Sequence, residues 1–193
     1  TRETPPKDRT VKVPQEIIRT AYPQRLVSPI DKVSKKLFAG ELTAELQPLR
    51  MEKRKSKRQI TTLASINFSA PQMMGMPGLG YYDQGIYNAI CTLYVAGGNE
   101  YITPQMIYQV ISGKEDAYLN PKQAEKISSS IKKFMGGLLY IDATQEAQAQ
   151  DKQFKGNLTY YTNLLHAEGA KRNLNGTITE CIRIIKTPLL YEY

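Results

Sequence analysis

Three helical patterns follow one another between Tyr81 and Gly137, each stopped by glycine, and this close order leaves the chain little freedom in how it can fold. In YYDQGIYNAICTLYVAGG, Ile86, Ile90, Leu93 and Tyr94 fall on one helical face, and Gly97-Gly98 supplies the stop. In ITPQMIYQVISGK, Thr103 is placed to cap the helix and Pro104 takes the first helical position, where its missing N–H costs nothing. Ile107, Val110 and Ile111 form its expected buried stripe, and Gly113 ends it. LNPKQAEKISSSIKKFMGG repeats the device: Asn120 caps, Pro121 starts, and Ala124, Ile127, Ile131 and Phe134 face inward before Gly136-Gly137. Helices this short close a core more securely when a small sheet covers one side.

The flanking sequence supplies strands. QITTLASINFS is β-branched-rich and predicts a strand over Ile60 to Phe68, followed by a loop in SAPQMMGMPGLG. No Lys-Ser/Thr pair follows those glycines, so a phosphate-binding loop does not fit. After the third helix, LLYIDA reads as a strand, 144–151 as a short polar helix and 158–165 as another strand. Asn175-Gly176 then sits between two alternating runs, the strongest local signal for a β-hairpin, with arms Lys171 to Leu174 and Thr177 to Ile185. A strand, three helices and a hairpin are the element order of an α+β winged helix (winged helix-turn-helix), expected over residues 59–193.

Residues 1–58 read as a basic N-terminal extension. Its start, to about Pro14, lacks apolar periodicity and is expected to be disordered. Within 29–42, PIDKVSKKLFAGEL aligns Ile30, Val33, Leu37 and Phe38 as a short amphipathic helix. That face must be buried on the main domain or on another copy of the chain, and the sequence leaves both open.

The chain of 193 residues has room for one ordinary core plus an appendage. No apolar run approaches the ~18 residues of a membrane span and no signal-peptide stretch opens the chain, so a cytoplasmic protein without membrane contact is expected. Cys91 and Cys181 lie in strongly patterned segments and are read as reduced thiols. The net charge of +8 points to a polyanionic partner, and its distribution says more than its size. Residues 1–60 hold 15 Lys+Arg against 7 Asp+Glu, whereas 61–193 hold 11 of each. Much of the excess is the run Lys53, Arg54, Lys55, Lys57, Arg58, which fits phosphate contact or a solvated linker equally well.

On the third helix, Lys122, Glu125, Lys126, Ser129 and Lys133 lie opposite the apolar stripe. Such a face suits the major groove, where lysine reaches guanine edges or phosphates and the small Ser128, Ser129 and Ser130 let the backbone approach closely. Asn120 and Gln123, near the helix start, join the candidates because the first residues of a recognition helix meet the bases first. Lys171 and Arg172, beside Asn173 and Asn175, give the hairpin a basic tip suited to phosphates or the minor groove. A solvated helix face and a plain surface turn are the alternatives.

Catalysis is not expected. A tyrosine nickase needs a histidine cluster for its metal ion, and the chain has a single histidine, His166. A Ser-His-Asp or Cys-His arrangement would also depend on His166, and no context around Cys91 or Ser128 to Ser130 supports one. No cofactor and no metal site are indicated.

Three passages, TTLASINF, YDQGIYNAICTLYVAGGNEYITPQMIYQVISG and NGTITECIRIIKTPLLYEY, together resemble the winged-helix replication initiator proteins of bacterial plasmids and integrative mobile elements. The likeness covers roughly residues 55–193 and lies in overall pattern rather than in an invariant signature. It implies binding to double-stranded DNA at repeated or palindromic origin sites, a homodimeric form and host replication proteins as partners. Such initiators often carry two winged-helix domains, whereas this chain has room for one. A transcriptional regulator on the same fold and a protein-protein adaptor without DNA binding are the competing readings.

Overall fold

Local chemistry sets the helix boundaries. Thr103 Oγ1 accepts from the Met106 amide at 3.2 Å, and Pro104 opens the helix Pro104–Ser112. Asn120 Oδ1 accepts from the Gln123 amide at 2.9 Å while Gln123 Oε1 accepts from the Asn120 amide at 3.3 Å, a reciprocal cap on the helix Pro121–Gly136. The computed structural model describes residues 27–52, 59–68 and 78–189. In chain order these form α1 (Val27–Phe38), β1 (Gln47–Glu52), β2 (Gln59–Phe68), α2 (Tyr81–Cys91), β3 (Tyr101–Ile102), α3 (Pro104–Ser112), α4 (Pro121–Gly136), β4 (Gly137–Asp142), α5 (Thr144–Gln150), β5 (Thr159–Asn163), β6 (Ala167–Leu174) and β7 (Thr177–Ile184). The expected leader up to Pro14, the basic run Lys53, Arg54, Lys55, Lys57, Arg58 and most of the Gly-rich loop lie outside the described residues.

All strand pairings are antiparallel and make two sheets, of order β1-β2-β4-β5 and β3-β7-β6. β2 and the hairpin belong to different sheets, yet Ile66 of β2 and Ile182 and Ile184 of β7 are buried in the same core. β4 leaves α4 directly, pairs with β2 and returns through α5 and β5, so a strand–helix–strand unit separates α4 from the hairpin. Gly137 makes the abrupt exit feasible: a Cβ there would lie 2.9 Å from the Lys133 carbonyl oxygen and 3.1 Å from the Phe68 ring.

The core gathers inward faces from both sheets and all four larger helices. Ile86 and Ile90 of α2, Ile107 of α3, and Ile127, Ile131 and Phe134 of α4 are fully or almost fully buried. Val33, Leu37 and Phe38 of α1 join the same cluster, so the amphipathic helix is buried on this molecule's own body. β1 likewise pairs with β2 across the expected boundary near residue 58. Tyr87 sits at the junction: its ring meets Phe134 edge-on at 5.1 Å, and its hydroxyl donates to the Leu164 carbonyl at 2.7 Å. Losing Phe134 from such a cluster costs about 3–5 kcal/mol.

Two expectations need correction. Val110 and Ile111, expected in the buried stripe of α3, are 37% and 45% exposed. The helix has nine residues and docks through Pro104 and Ile107 near its start, so its last turn carries both side chains to the surface. β1 and β3 have no counterpart among the strands expected from the sequence. Both cysteines are free; Cys91 is buried, and that burial pushes its thiol up to about 12.

Candidate nucleic-acid interface

The polar positions of α4 divide into two groups. Opposite the buried stripe run Lys122, Glu125, Lys126 and Lys132, all exposed, with Ser129 half-buried among them. Lys132 is absent from the face expected from the sequence, although it follows Ser129 by three residues, the spacing that keeps side chains on one face. Lys126 holds its ammonium 5.7 Å from the centre of the Tyr82 ring, a cation–π contact that fixes its direction beside the start of α2. Burial and then the neighbouring Asp83 charge push the Tyr82 hydroxyl above its ordinary value, with Tyr108 adding to both, so Tyr82 presents a neutral ring at physiological pH.

The other group is turned inward. Lys133, expected on the open face, instead aims at the buried Asp83, with Nζ 3.7 Å from Oδ2 and only 13% of its side chain exposed. Asp83 also accepts from the Ser130 hydroxyl at 2.6 Å and from the Gly80 amide at 2.8 Å. A buried carboxylate needs such partners, and the lysine stem is long enough to reach back to it. Ser128 and Ser130, expected as small groups easing close approach, are buried as well. Ser130 serves Asp83, and Ser128 donates to Glu180 of β7 at 2.9 Å. Asn120 and Gln123 hold each other in the cap, and the Gln123 amide donates to the Tyr108 hydroxyl at 3.0 Å. As base readers they would first have to break these bonds.

The hairpin stands beside the open face because Ser128 and Glu180 pin β7 to α4. Its turn has positive φ at both central residues, 50° at Asn175 and 82° at Gly176, the twist that suits a two-residue hairpin. Lys171, Arg172, Asn173 and Asn175 are all exposed. Register separates the two cations. Lys171 pairs with Glu180 and therefore shares the face that meets α4, whereas Arg172 pairs with Thr179 on the opposite face. At the hairpin base, Arg183 is shared between two carboxylates, bonding Glu100 at 2.9 Å and Glu168 at 3.1 Å.

His166 lies away from these groups, bonded to the Thr162 hydroxyl at 2.8 Å. Among the described residues no group of three or more His, Cys, Asp or Glu side chains is arranged to hold a metal ion, and no helix is long and apolar enough to cross a membrane.

No family model matches the chain, and no curated protein matches it. Among solved structures, selenomethionine derivatives of domains 2 and 3 of RctB superpose with a TM-score of 0.53 at 14% identity, over 82% of this chain and 60% of that one. Another crystal structure of RctB domains 2–3 gives 0.49 at 13% identity, over 76% of this chain and 55% of that one. The chain thus spans somewhat under two thirds of the structure it matches, and what it shares with those RctB domains is a mixed α+β fold built on antiparallel sheets.

Proposed function

We propose that this chain is a sequence-specific double-stranded DNA-binding module of winged-helix type, with α4 as recognition helix and the β6–β7 hairpin as wing. The observation that carries the reading is the lysine-bearing open face of α4 held beside a cationic hairpin by the Ser128–Glu180 bond. The order α2, β3, α3, α4, β6, β7, with β3 and β6 flanking β7, supports the winged-helix assignment. In this reading the β4–α5–β5 unit is an insertion between recognition helix and wing.

Lys122, Lys126 and Lys132 would approach base edges and phosphates in the major groove, with Ser129 at the centre of the face. Lys171 and Arg172 would hold the backbone alongside. The resemblance in sequence to initiators of plasmids and mobile elements makes replication origins, with repeated or palindromic sites, the proposed place of action. A homodimer and host replication proteins are the partners that go with it, and binding rather than catalysis is its proposed role.

Selection of bound fragments from a random duplex library tests this reading, followed by affinity measurements on the recovered duplex at several salt concentrations. The expected outcome is a repeated or palindromic motif and a log-log salt slope near −0.9 for each phosphate contacted. Recovery of no motif, with affinity indifferent to salt, would refute it.

A further inference from the structure

Resting on that DNA-binding reading, we propose that the tip of the β6–β7 hairpin is an apolar wedge that enters the minor groove and kinks the duplex. Leu174 and Ile178 flank the Asn175-Gly176 turn and stand 57% and 56% exposed. Leu174 pairs with Thr177 and Ile178 with Asn173, so the two aliphatic side chains project from opposite faces of the ribbon. Each face therefore carries an aliphatic group at the tip and a cation one step behind it. Arg172 stands two residues from Leu174 on one face, and Lys171 shares the other with Asn173 and Ile178. Two residues along a strand is about 7 Å.

That layout matches what a minor-groove wedge needs. Phosphates reward cations and polar donors but offer nothing to leucine or isoleucine, whereas the floor of the groove and a partly unstacked base step do. A cation on each face can meet the phosphate wall on its own side while the tip goes between them. The groove is only ~6 Å wide in undistorted B-DNA, so a two-stranded ribbon enters by opening it, which bends the duplex away from the wedge. Of the neighbouring carboxylates, Glu180 is turned towards Ser128 of α4, and Glu168 shares Arg183 with Glu100 at the hairpin base.

The experiment compares bending and binding on the duplex recovered from the library, placed at several positions along a fragment of fixed length. Parent protein is expected to give position-dependent mobility corresponding to a bend on the order of 20–90°. Leu174→Ser with Ile178→Thr is expected to bind within a few-fold of the parent while the bend disappears. Lys171→Ala with Arg172→Ala should instead lose affinity and salt slope. Equal thermal melts of parent and variants show that the exposed positions leave the fold intact. Binding without bending by the parent, or an unchanged bend in the aliphatic variant, would overturn the wedge and leave DNA binding standing. So would loss of self-association in that variant with its bend retained, since the tip would then be a protein contact. Failure of the parent to bind any duplex overturns both.

Discussion

α4 and the β6–β7 hairpin, joined by the Ser128–Glu180 bond, both carry exposed cations, but they hold their polar side chains in opposite ways. Along α4, Asn120, Gln123, Ser128, Ser130 and Lys133 all have partners inside the protein, and the open face is what remains after those are taken. Along the outer hairpin, Lys171, Arg172, Asn173 and Asn175 stand exposed, and the ribbon meets the body towards its inner end, through the Ser128–Glu180 bond and the buried Ile182 and Ile184. A helix packed against α2, α3 and β7 turns polar side chains into structure, whereas on the projecting ribbon Lys171 and Arg172 stay exposed and Asn173 only closes its own turn, accepting from the Gly176 amide at 3.2 Å. The same residue type therefore has a different role according to the element that carries it.

The largest expected effect follows from the inward half of α4. Lys133→Met leaves the buried Asp83 without its cation and should cost roughly 2–4 kcal/mol of stability, with a melting temperature lower by about 5–15 °C. Duplex affinity per folded molecule should stay near the parent's. Calorimetry and binding on one sample separate the two quantities, and a large affinity loss at unchanged stability would put Lys133 on the open face after all. Next in size is the outward half. Lys122→Ala, Lys126→Ala and Lys132→Ala together should weaken duplex binding by roughly 10²-fold, about 1 kcal/mol each, with the fold unaltered. A mobility-shift series would break the comparison if this triple variant bound like the parent.

The wing should contribute less. Lys171→Ala with Arg172→Ala is expected to lower affinity several-fold and to make the salt slope shallower by about 0.9 for each phosphate the variant no longer neutralises. Its effect should add to that of the α4 lysines if helix and hairpin touch separate phosphates. The smallest effect concerns His166, whose ring burial first, and Lys186 second, disfavour protonation and hold it below its ordinary 6.5. The unfolded chain then binds the proton more readily than the folded one, so this contribution is present above pH 6.5 and is lost as pH falls below it. Thermal melts between about pH 7.5 and pH 5 should show that slight loss in the parent, reduced in His166→Asn.

What could be read in advance follows from how local each signal is. The capped starts at Thr103-Pro104 and Asn120-Pro121 and the Asn175-Gly176 turn are satisfied within a few residues, and the fold contains the elements they foretell. β1 escapes such a reading because QPLRME carries proline and charges, a composition tolerated in a strand only at the edge of a sheet. β3 has two residues and exists by virtue of its pairing with β7. The candidate face is legible as a helical periodicity but not in its detail. A periodic wheel places Lys133 beside Lys126, and nothing in the local sequence announces that Asp83, on a different helix, will be buried there and require a cation. The double role of Gln123, which closes the cap and holds Tyr108, depends in the same way on a neighbouring helix.

Mapping amide chemical shifts of the folded protein while the selected duplex is added tests the central claim most directly. Shifts are expected to concentrate on residues 122–132 of α4 and on 171–178 of the hairpin and to fade as salt is raised. Shifts confined to the β1-β2-β4-β5 sheet, with the open face of α4 undisturbed, would contradict it.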